Sequence, residues 1–222
     1  MNVVLFGATG MVGAGVLLEC LDDAAVASVL VIGRRPCGVS HPKVTEMVRE
    51  DLFDVEPARA ALAGKDACFW CLGVTSVGMT EEQYGRVTRD LTMVWARALL
   101  AASPQVAFVF VSGAGSDSSE RGRVMWARIK GQAENAVLGL GFRAAYAFRP
   151  AFIQPRRGVV SRTRLYNAFY AVFSPFEPLL RRLMPQLVTS TIVLGRAMIG
   201  VVRKGYEKHI LETRDINRAA EG

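Results

Sequence analysis

A chain of 222 residues, 51% hydrophobic and 21% charged, has the size and composition of one well-packed globular domain. Its net charge of +7 raises the question of nucleic acid, but the basic residues are scattered and the tightest groups are pairs such as Arg156 with Arg157. We therefore expect a solvated basic surface and no nucleic-acid partner. The start, MNVVLFGATG, lacks the basic residues of a signal peptide, and we find no uninterrupted apolar stretch of about 20 residues. We predict a cytoplasmic protein.

Predicted strands and helices alternate along the first 150 residues. The apolar runs NVVLFG, VASVLVIG, KDACFWCLG and QVAFVFVSG are typical of buried strands, and KVTEMVRE and FRAAYAFRP are read as strands as well. Helices are predicted for MVGAGVLLECL, for EPARAAL and for TEEQYGRVTRDLTMVWARALLAA, which Thr80 and Gln83 begin with a capping box. A further helix carries Trp126 and Lys130 and ends at GLG.

This order predicts an α/β fold. Strands joined by helical crossovers form a doubly wound parallel sheet of the Rossmann type, with helices on both faces. After Pro150 comes an aromatic-rich stretch broken by prolines, then a predicted helix, TSTIVLGRAMIGVV, and a short strand, KHILE. We predict a single domain over residues 1–222, in which 150–222 form a small substrate or lid region and 156–187 a mobile cover.

A glycine-rich loop, GATGMVG, joins the first predicted strand to the first helix. In a dinucleotide-binding loop, the first glycine permits the tight turn and the second lets the backbone approach a pyrophosphate at the helix N-terminus. The third lets the helix pack on the sheet. Gly7, Gly10 and Gly13 have this spacing and this strand–helix context. A structural turn without a ligand is the alternative.

The second predicted strand ends with VIGRRP. An NAD-preferring site has an acidic residue here, whereas Arg34 and Arg35 favour the 2′-phosphate of NADP(H) over NAD(H). A solvent-exposed basic turn is the alternative. Asp51 and Leu52 follow the third strand, where an adenine ring would lie. The predicted cofactor-binding residues are Gly7, Thr9, Gly10, Met11, Val12, Gly13, Arg34, Arg35, Asp51, Leu52, Cys71, Leu72, Gly73, Lys130, Pro150 and Ile153.

The CFWC run invites a zinc or redox interpretation. Cys68 and Cys71 are three residues apart in a predicted strand, so their side chains point to opposite faces and cannot share a metal. The chain has only two histidines, His41 and His209, which makes a zinc site improbable. We expect reduced, structural cysteines and no metal site.

Several motifs, in order, resemble the atypical branch of the short-chain dehydrogenase/reductase superfamily, and within it the Tat-interacting-protein type of oxidoreductase. They are LFGATGMVG, CLGVTSVGMTEEQYGRVTRDLT, RIKGQAE, FRP, VTSTIVLGRAM and LETRDI. The resemblance covers nearly the whole chain. It implies a nicotinamide cofactor and a site in which a Lys holds the nicotinamide ribose, a Ser orients the substrate carbonyl and a Tyr gives the proton.

Carried over by position, Lys130 matches the Lys and Ser112 matches the Ser, while Trp126 stands at the Tyr position. An indole N–H donates hydrogen bonds but does not ionise in the useful pH range, so Trp126 cannot act as general acid or base. Two interpretations of Trp126 remain open: it shapes the nicotinamide pocket, or it only packs in the core.

Two functions compete at this stage. The first is an NADP(H)-dependent oxidoreductase on an unknown small-molecule substrate, with another proton donor such as Ser112, a substrate hydroxyl, Tyr166 or Tyr170. The second is a non-catalytic regulatory protein that senses the cofactor and acts through a protein partner. Binding to a membrane surface through the aromatic tail is a weaker third hypothesis. We expect a monomer or a homodimer.

Overall fold

The central sheet of the computed structural model, which describes residues 1–159 and 185–221, is parallel throughout. Its order is β3-β2-β1-β4-β5-β6-β9. The strands are β1 (Asn2–Phe6), β2 (Ser28–Gly33), β3 (Val44–Val48), β4 (Ala67–Trp70), β5 (Ala107–Val111), β6 (Ala144–Arg149) and β9 (Ile210–Glu212). The predicted doubly wound parallel sheet is confirmed.

Helices cover both faces of this sheet, and each face has its own apolar core. On one face, α1 (Met11–Asp22) and α5 (Thr191–Lys204) pack over residues such as Leu5 and Val109. On the other face, α3 (Leu91–Ala102) and α4 (Met125–Leu138) pack over Phe6 and Phe110. Successive residues of a strand alternate between the two cores because their side chains point to opposite faces.

The long helix predicted from Thr80 is present as three consecutive segments. These are α2 (Glu81–Gly85), a π-helical segment (Arg86–Asp90) and α3. The predicted capping box is confirmed: the Thr80 hydroxyl accepts from the Gln83 N–H at 3.2 Å, and the Gln83 side chain accepts from the Thr80 N–H at 3.0 Å. The predicted EPARAAL helix is a 3-10 helix (Glu56–Leu62).

The C-terminal part adds elements that the sequence did not predict. Strands β7 (Phe152–Gln154) and β8 (Val188–Ser190) form a separate two-stranded parallel sheet, and α6 (Thr213–Ala219) follows β9. A 3-10 turn (Pro185–Leu187) precedes β8. The start predicted for the helix TSTIVLGRAMIGVV is wrong by two residues. Ser190 is extended and caps α5 by accepting from the Val193 N–H at 3.2 Å.

Most of the predicted cover, and the alternative proton donors Tyr166 and Tyr170, lie outside the described residues. Across residues 1–159 and 185–221, no helix combines the length and the apolar character needed to cross a membrane.

The two cysteines of CFWC lie on opposite faces of the sheet, as their spacing predicts. Cys68 is fully buried in the core under α3, whereas Cys71 packs against the core under α1 and α5. Burial raises the pKa of both thiols well above the usual value. Cys68 is therefore an unreactive thiol of the core, whereas Cys71 lies half-buried at the end of β4.

Candidate cofactor and active site

The glycine loop is built so that no side chain fits at two of its positions. Gly7 has a φ of +80°, and a Cβ there would lie 2.5 Å from the Cys71 carbonyl oxygen at the end of β4. A Cβ on Gly13 would lie 2.2 Å from the Gly7 carbonyl oxygen. Gly7 thus needs both the left-handed conformation and the space beside Cys71. Gly13 lets α1 begin directly over the turn.

The N-terminus of α1 presents free backbone donors. Gly10 is its N-cap, no side chain caps it, and the first turn has no acidic residue. The Gly10 N–H donates to the Gly7 carbonyl, but the N–H groups of Met11, Val12 and Gly13 find no acceptor in the described part of the chain. Donors of this kind, at the positive end of a helix dipole, form a site for a phosphate anion.

The sheet order places this loop at the point where the topology reverses. The chain passes from β1 outward to β2 and β3, then returns to β4 on the other side of β1. A crevice therefore opens between the loop after β1 and residues Cys71, Leu72 and Gly73 after β4. Nothing lies within 4 Å of a Cβ built on Gly73, so this wall of the crevice has room beside it. Ligands of open parallel sheets bind at such a reversal.

The structure brings the sequence-predicted residues to one edge of the sheet. Each follows the carboxyl end of a strand, and in a parallel sheet these ends lie together: Arg34 and Arg35 after β2, Asp51 and Leu52 after β3, Ser112 after β5, Pro150 after β6. Three predicted residues are exceptions: Ile153 lies within β7 in the separate small sheet, and Trp126 and Lys130 lie on helix α4.

Arg34 and Arg35 are both exposed. No carboxylate pairs with either one within residues 1–159 and 185–221, so both guanidinium groups are available to an anion. Beyond β3, the Asp51 carboxylate accepts from the Phe53 N–H at 2.8 Å. The Leu52 side chain is buried in the core, and its carbonyl accepts from the indole N–H of Trp95 at 2.7 Å. This anchors the turn after β3, where the sequence predicts an adenine site.

Helix α4 carries Trp126 and Lys130 on one face, four residues apart. The Lys130 ammonium lies 5.7 Å from the centroid of the Phe110 ring. Burial lowers the pKa of Lys130 to about 8, against an opposing attraction from Glu134. The half-buried Trp126 reaches the loop after β5, where its Cη2 lies 3.5 Å from a Cβ built on Gly115.

Ser112 is buried and has a partner that the sequence did not indicate. Its hydroxyl lies 2.8 Å from the Ser116 hydroxyl, which in turn donates to the Gly113 carbonyl at 2.8 Å. The Ser112 N–H continues the ladder to Phe148 of β6 at 2.8 Å. Ser116 follows Ser112 by four residues in a loop, where spacing carries no geometric information, so only the structure reveals the pair.

Two of the quoted motifs, RIKGQAE and FRP, meet in a buried ion pair. Nε of Arg149 lies 3.1 Å from both carboxylate oxygens of Glu134, whose side chain is 0% exposed, and Nη2 contacts Oε2 as well. The same guanidinium donates to the Ser118 hydroxyl at 2.6 Å and reaches Glu212 at 3.4 Å. Burial alone would lower the pKa of Arg149, but the hydrogen bond and charge of Glu134 outweigh it and raise the pKa. Sequence reasoning gave neither residue a role.

An open groove of about 830 Å³ adjoins this edge of the sheet. Ala114 after β5 and Ala151 after β6 border it, and the polar side chains of Glu212, Arg214 and Asn217 line its other side. It lies beyond the carboxyl ends of β5 and β6, and residues of the segment 150–222 supply most of its lining.

The comparisons with known proteins give relatives of the chain and support its fold. No family model matches the chain. The chain is 34% identical to the mitochondrial protein fmp52 of Aspergillus clavatus over 163 residues. This alignment covers 70% of this chain and 68% of that protein. Over 202 residues it is 26% identical to the mitochondrial protein fmp52-2 of Aspergillus terreus, covering 90% and 85% of the two chains.

Solved structures show the same fold at low identity. A short chain dehydrogenase family protein from Francisella tularensis matches with a TM-score of 0.65 at 13% identity, over 95% of both chains. The enzyme WbmH of Bordetella bronchiseptica, in complex with NAD+, matches with a TM-score of 0.66 at 15% identity, over 95% of this chain and 73% of its own. The finer resemblance to the Tat-interacting-protein type stays a prediction.

The names of the relatives contradict one expectation. From the lack of a signal peptide and a membrane span we expected a cytoplasmic protein, but the relatives, at 28–34% identity over about 70% of this chain, are named mitochondrial proteins. The cytoplasmic prediction is wrong because it rested on an absence of N-terminal signals, which says nothing of the compartment in which relatives work.

Proposed function

The chain belongs to the family of the fungal fmp52 proteins, and from that premise we propose that it binds NADP(H) and acts as an oxidoreductase on a small carbonyl or alcohol substrate. The observation that carries the proposal is the set of three unfilled backbone N–H groups at the start of α1, next to a glycine loop that excludes side chains. A pyrophosphate fits this cradle by charge and by space.

The residues present fit the rest of a nicotinamide dinucleotide. Arg34 and Arg35 supply cations where a 2′-phosphate would lie, and no acid stands there to accept from a free ribose hydroxyl. Lys130 has ammonium protons for the nicotinamide ribose. When bound, the cofactor supplies or accepts a hydride, chemistry that no side chain provides. The chain's own part is to orient the ring, to exclude water and to handle the proton.

Calorimetry with NADPH and NADH tests the cofactor proposal. One charged hydrogen bond to the 2′-phosphate is worth about 1.5–3 kcal/mol, or roughly tenfold to a hundredfold in affinity. We expect NADPH to bind more tightly by that factor, and Arg34→Ala with Arg35→Ala to remove the difference without weakening NADH. A matched control is Arg97→Ala, on α3 and away from this edge. Equal affinities for the two cofactors in the unaltered chain would refute the NADP(H) assignment.

A second function, cofactor sensing without catalysis, is favoured by one observation. Trp126 occupies the position of the proton-donating Tyr, and an indole cannot replace it. In this case NADPH would bind and change the binding of a protein partner, but the protein would reduce no aldehyde or ketone. Single-turnover mixing of NADPH-loaded protein with a carbonyl panel separates the two functions.

For the compartment, we propose mitochondria, following the names of the relatives. A fluorescent fusion of the chain expressed in fungal cells tests this. Overlap with a mitochondrial stain supports it, and a diffuse signal refutes it.

A further inference from the structure

We propose that Lys130 is the acid–base group of this site, its Nζ giving the proton to the substrate oxygen that a Tyr gives elsewhere. The proposal rests on the proposed oxidoreductase function and assigns its proton. Three observations support it. The Lys130 ammonium lies on the side of the sheet that Ser112 faces, the charged groups around it are paired with other residues, and Ser112 and Ser116 are poor proton donors.

The ammonium lies on the same side of the sheet as the end of β5 that reaches the site. Nζ of Lys130 stands over the Phe110 ring, and Ser112 follows two residues later. Ser112 follows the last residue of β5 but continues its ladder through the hydrogen bond to Phe148. Residues two apart on a ladder share a face, so the Ser112 side chain and the Lys130 ammonium lie on the α4 side of the sheet. This shared side is the geometric basis for passing the proton to an oxygen that Ser112 holds.

The charged groups around α4 are paired with one another and leave Lys130 alone. Within the described ranges, the Lys130 ammonium has no hydrogen bond or ion pair, and it lies over the face of the Phe110 ring in a cation–π arrangement. The neighbouring charges have their own partners: Glu134 pairs with Arg149, Arg128 with Glu81, Arg89 with Asp90 and Gln132, and Asp117 accepts from Ser119 and Gly122.

The two serines are poor proton donors because their hydroxyls bind each other and a serine hydroxyl ionises far above the working pH. The Ser116 hydroxyl lies 2.8 Å from the Ser112 hydroxyl and 2.8 Å from the Gly113 carbonyl oxygen, and either serine can supply the proton between the two hydroxyls. Ser112 can therefore hold a substrate oxygen by a hydrogen bond, but it is no general acid for a carbonyl.

Lys130 supplies the one proton that carbonyl reduction needs. In the reducing direction the carbonyl carbon gains a hydride from the reduced nicotinamide cofactor, and the electron pair of the C=O π bond moves to oxygen. That oxygen takes a proton from Nζ, and the neutral amine regains one from water. The pKa of about 8 that burial gives Lys130 suits this exchange, because an acid–base group works best when its pKa is near the working pH.

A titration of Lys130 is the first measurement, and it does not depend on turnover. Lysine Cε resonances are followed over pH in the cofactor-free protein, and Lys130→Arg identifies the signal among those of Lys43, Lys65, Lys204 and Lys208. We expect its midpoint near pH 8, against roughly 10.4 for an ordinary lysine. A midpoint for Lys130 above 10 overturns the proposal.

The second measurement is NADPH-dependent reduction of an aldehyde and ketone panel. We expect kcat of the wild type to fall as pH rises through the Lys130 midpoint. Lys130→Arg keeps the cation but cannot release its proton, so it should bind NADPH and lose about 10²–10⁴ in kcat. Lys204→Arg, on an exposed turn of α5, is the matched control and should behave as wild type.

The outcomes distinguish the role of Lys130 from the oxidoreductase function on which it rests. Failure of the wild type to bind NADPH overturns the oxidoreductase function itself. Full activity in Lys130→Arg overturns only the role of Lys130. Binding of NADPH without any reduction by the wild type overturns the oxidoreductase function as well and favours the cofactor-sensing one. Loss of activity in Tyr166→Phe or Tyr170→Phe, with Lys130→Arg still active, assigns the proton to the tail instead.

Discussion

Glu134 of α4 and Arg149 at the end of β6 form a buried ion pair that joins the helix bearing Lys130 to the sheet. The Glu134 side chain is 0% exposed and that of Arg149 11%. A carboxylate this deeply buried is tolerated because the guanidinium contacts both of its oxygens. Glu134 lies one helical turn from Lys130. Because its carboxylate is already paired with Arg149, it does not form an ion pair with the Lys130 ammonium.

Removal of Arg149 should therefore destabilise the fold strongly. Arg149→Met leaves the Glu134 charge buried and unpaired, and breaking such a pair costs about 3–5 kcal/mol in the free energy of unfolding. Denaturant unfolding measures it. The double variant Glu134→Gln with Arg149→Met should recover part of the loss, because no charge remains buried. A loss no smaller in the double variant would show that packing, and not the charge, is responsible.

Gly131 of α4 should not tolerate a side chain. A Cβ there would lie 1.8 Å from the Asp117 carbonyl oxygen, in the loop whose Asp117 N–H donates to Ala127 at 2.9 Å. We expect Gly131→Ala to destabilise the protein by about 1–3 kcal/mol, as overpacking does, and to weaken NADPH binding by displacing Lys130. Gly85→Ala is the helical control, since its nearest neighbour, the Ile129 Cδ1, is 3.7 Å away. Equal thermal melting of Gly131→Ala and wild type would contradict this.

The sheet and the glycine loop follow from the sequence, while the small C-terminal elements do not. Buried parallel strands are continuous apolar runs, and the Gly7 loop has a spacing that its backbone geometry requires. Strands β7 and β8 are three residues each, too short to show a period. The Ser112–Ser116 and Glu134–Arg149 contacts depend on how loops and elements distant in sequence meet, which local pattern does not encode.

Lys130 should make stability depend on pH in the alkaline range. Burial lowers its pKa to about 8 in the folded state, while the unfolded chain has the ordinary value of roughly 10.4. Between these values the unfolded state binds more protons, so the free energy of unfolding rises with pH in this window, by about 1–3 kcal/mol. The measurement is the difference between wild type and Lys130→Met, from urea unfolding at pH 7.5 and pH 10.5. The wild type should gain relative to the variant, and a constant difference would mean that Lys130 is not desolvated.

Replacing Trp126 by Tyr should add a second proton donor, a phenol, to the site that Lys130 serves. Trp126 and Lys130 lie one turn apart on α4, so a phenol at position 126 would come within reach of the Lys130 ammonium, which lowers a phenol's pKa. Carbonyl reduction by Trp126→Tyr should then exceed that of wild type, by up to about 10²–10⁴ if proton transfer limits the rate.

Trp126→Phe is the control for this change, since it keeps a ring beside Gly115 and adds no acid. We expect it to reduce substrates no faster than wild type and to keep the fall in rate above pH 8 that Lys130 imposes. In Trp126→Tyr the tyrosine takes over, so Lys130→Arg should then cost less in rate than it does beside Trp126. If Trp126→Tyr and Trp126→Phe gain equally in rate, the indole hinders the substrate by its size, and position 126 has no part in proton transfer.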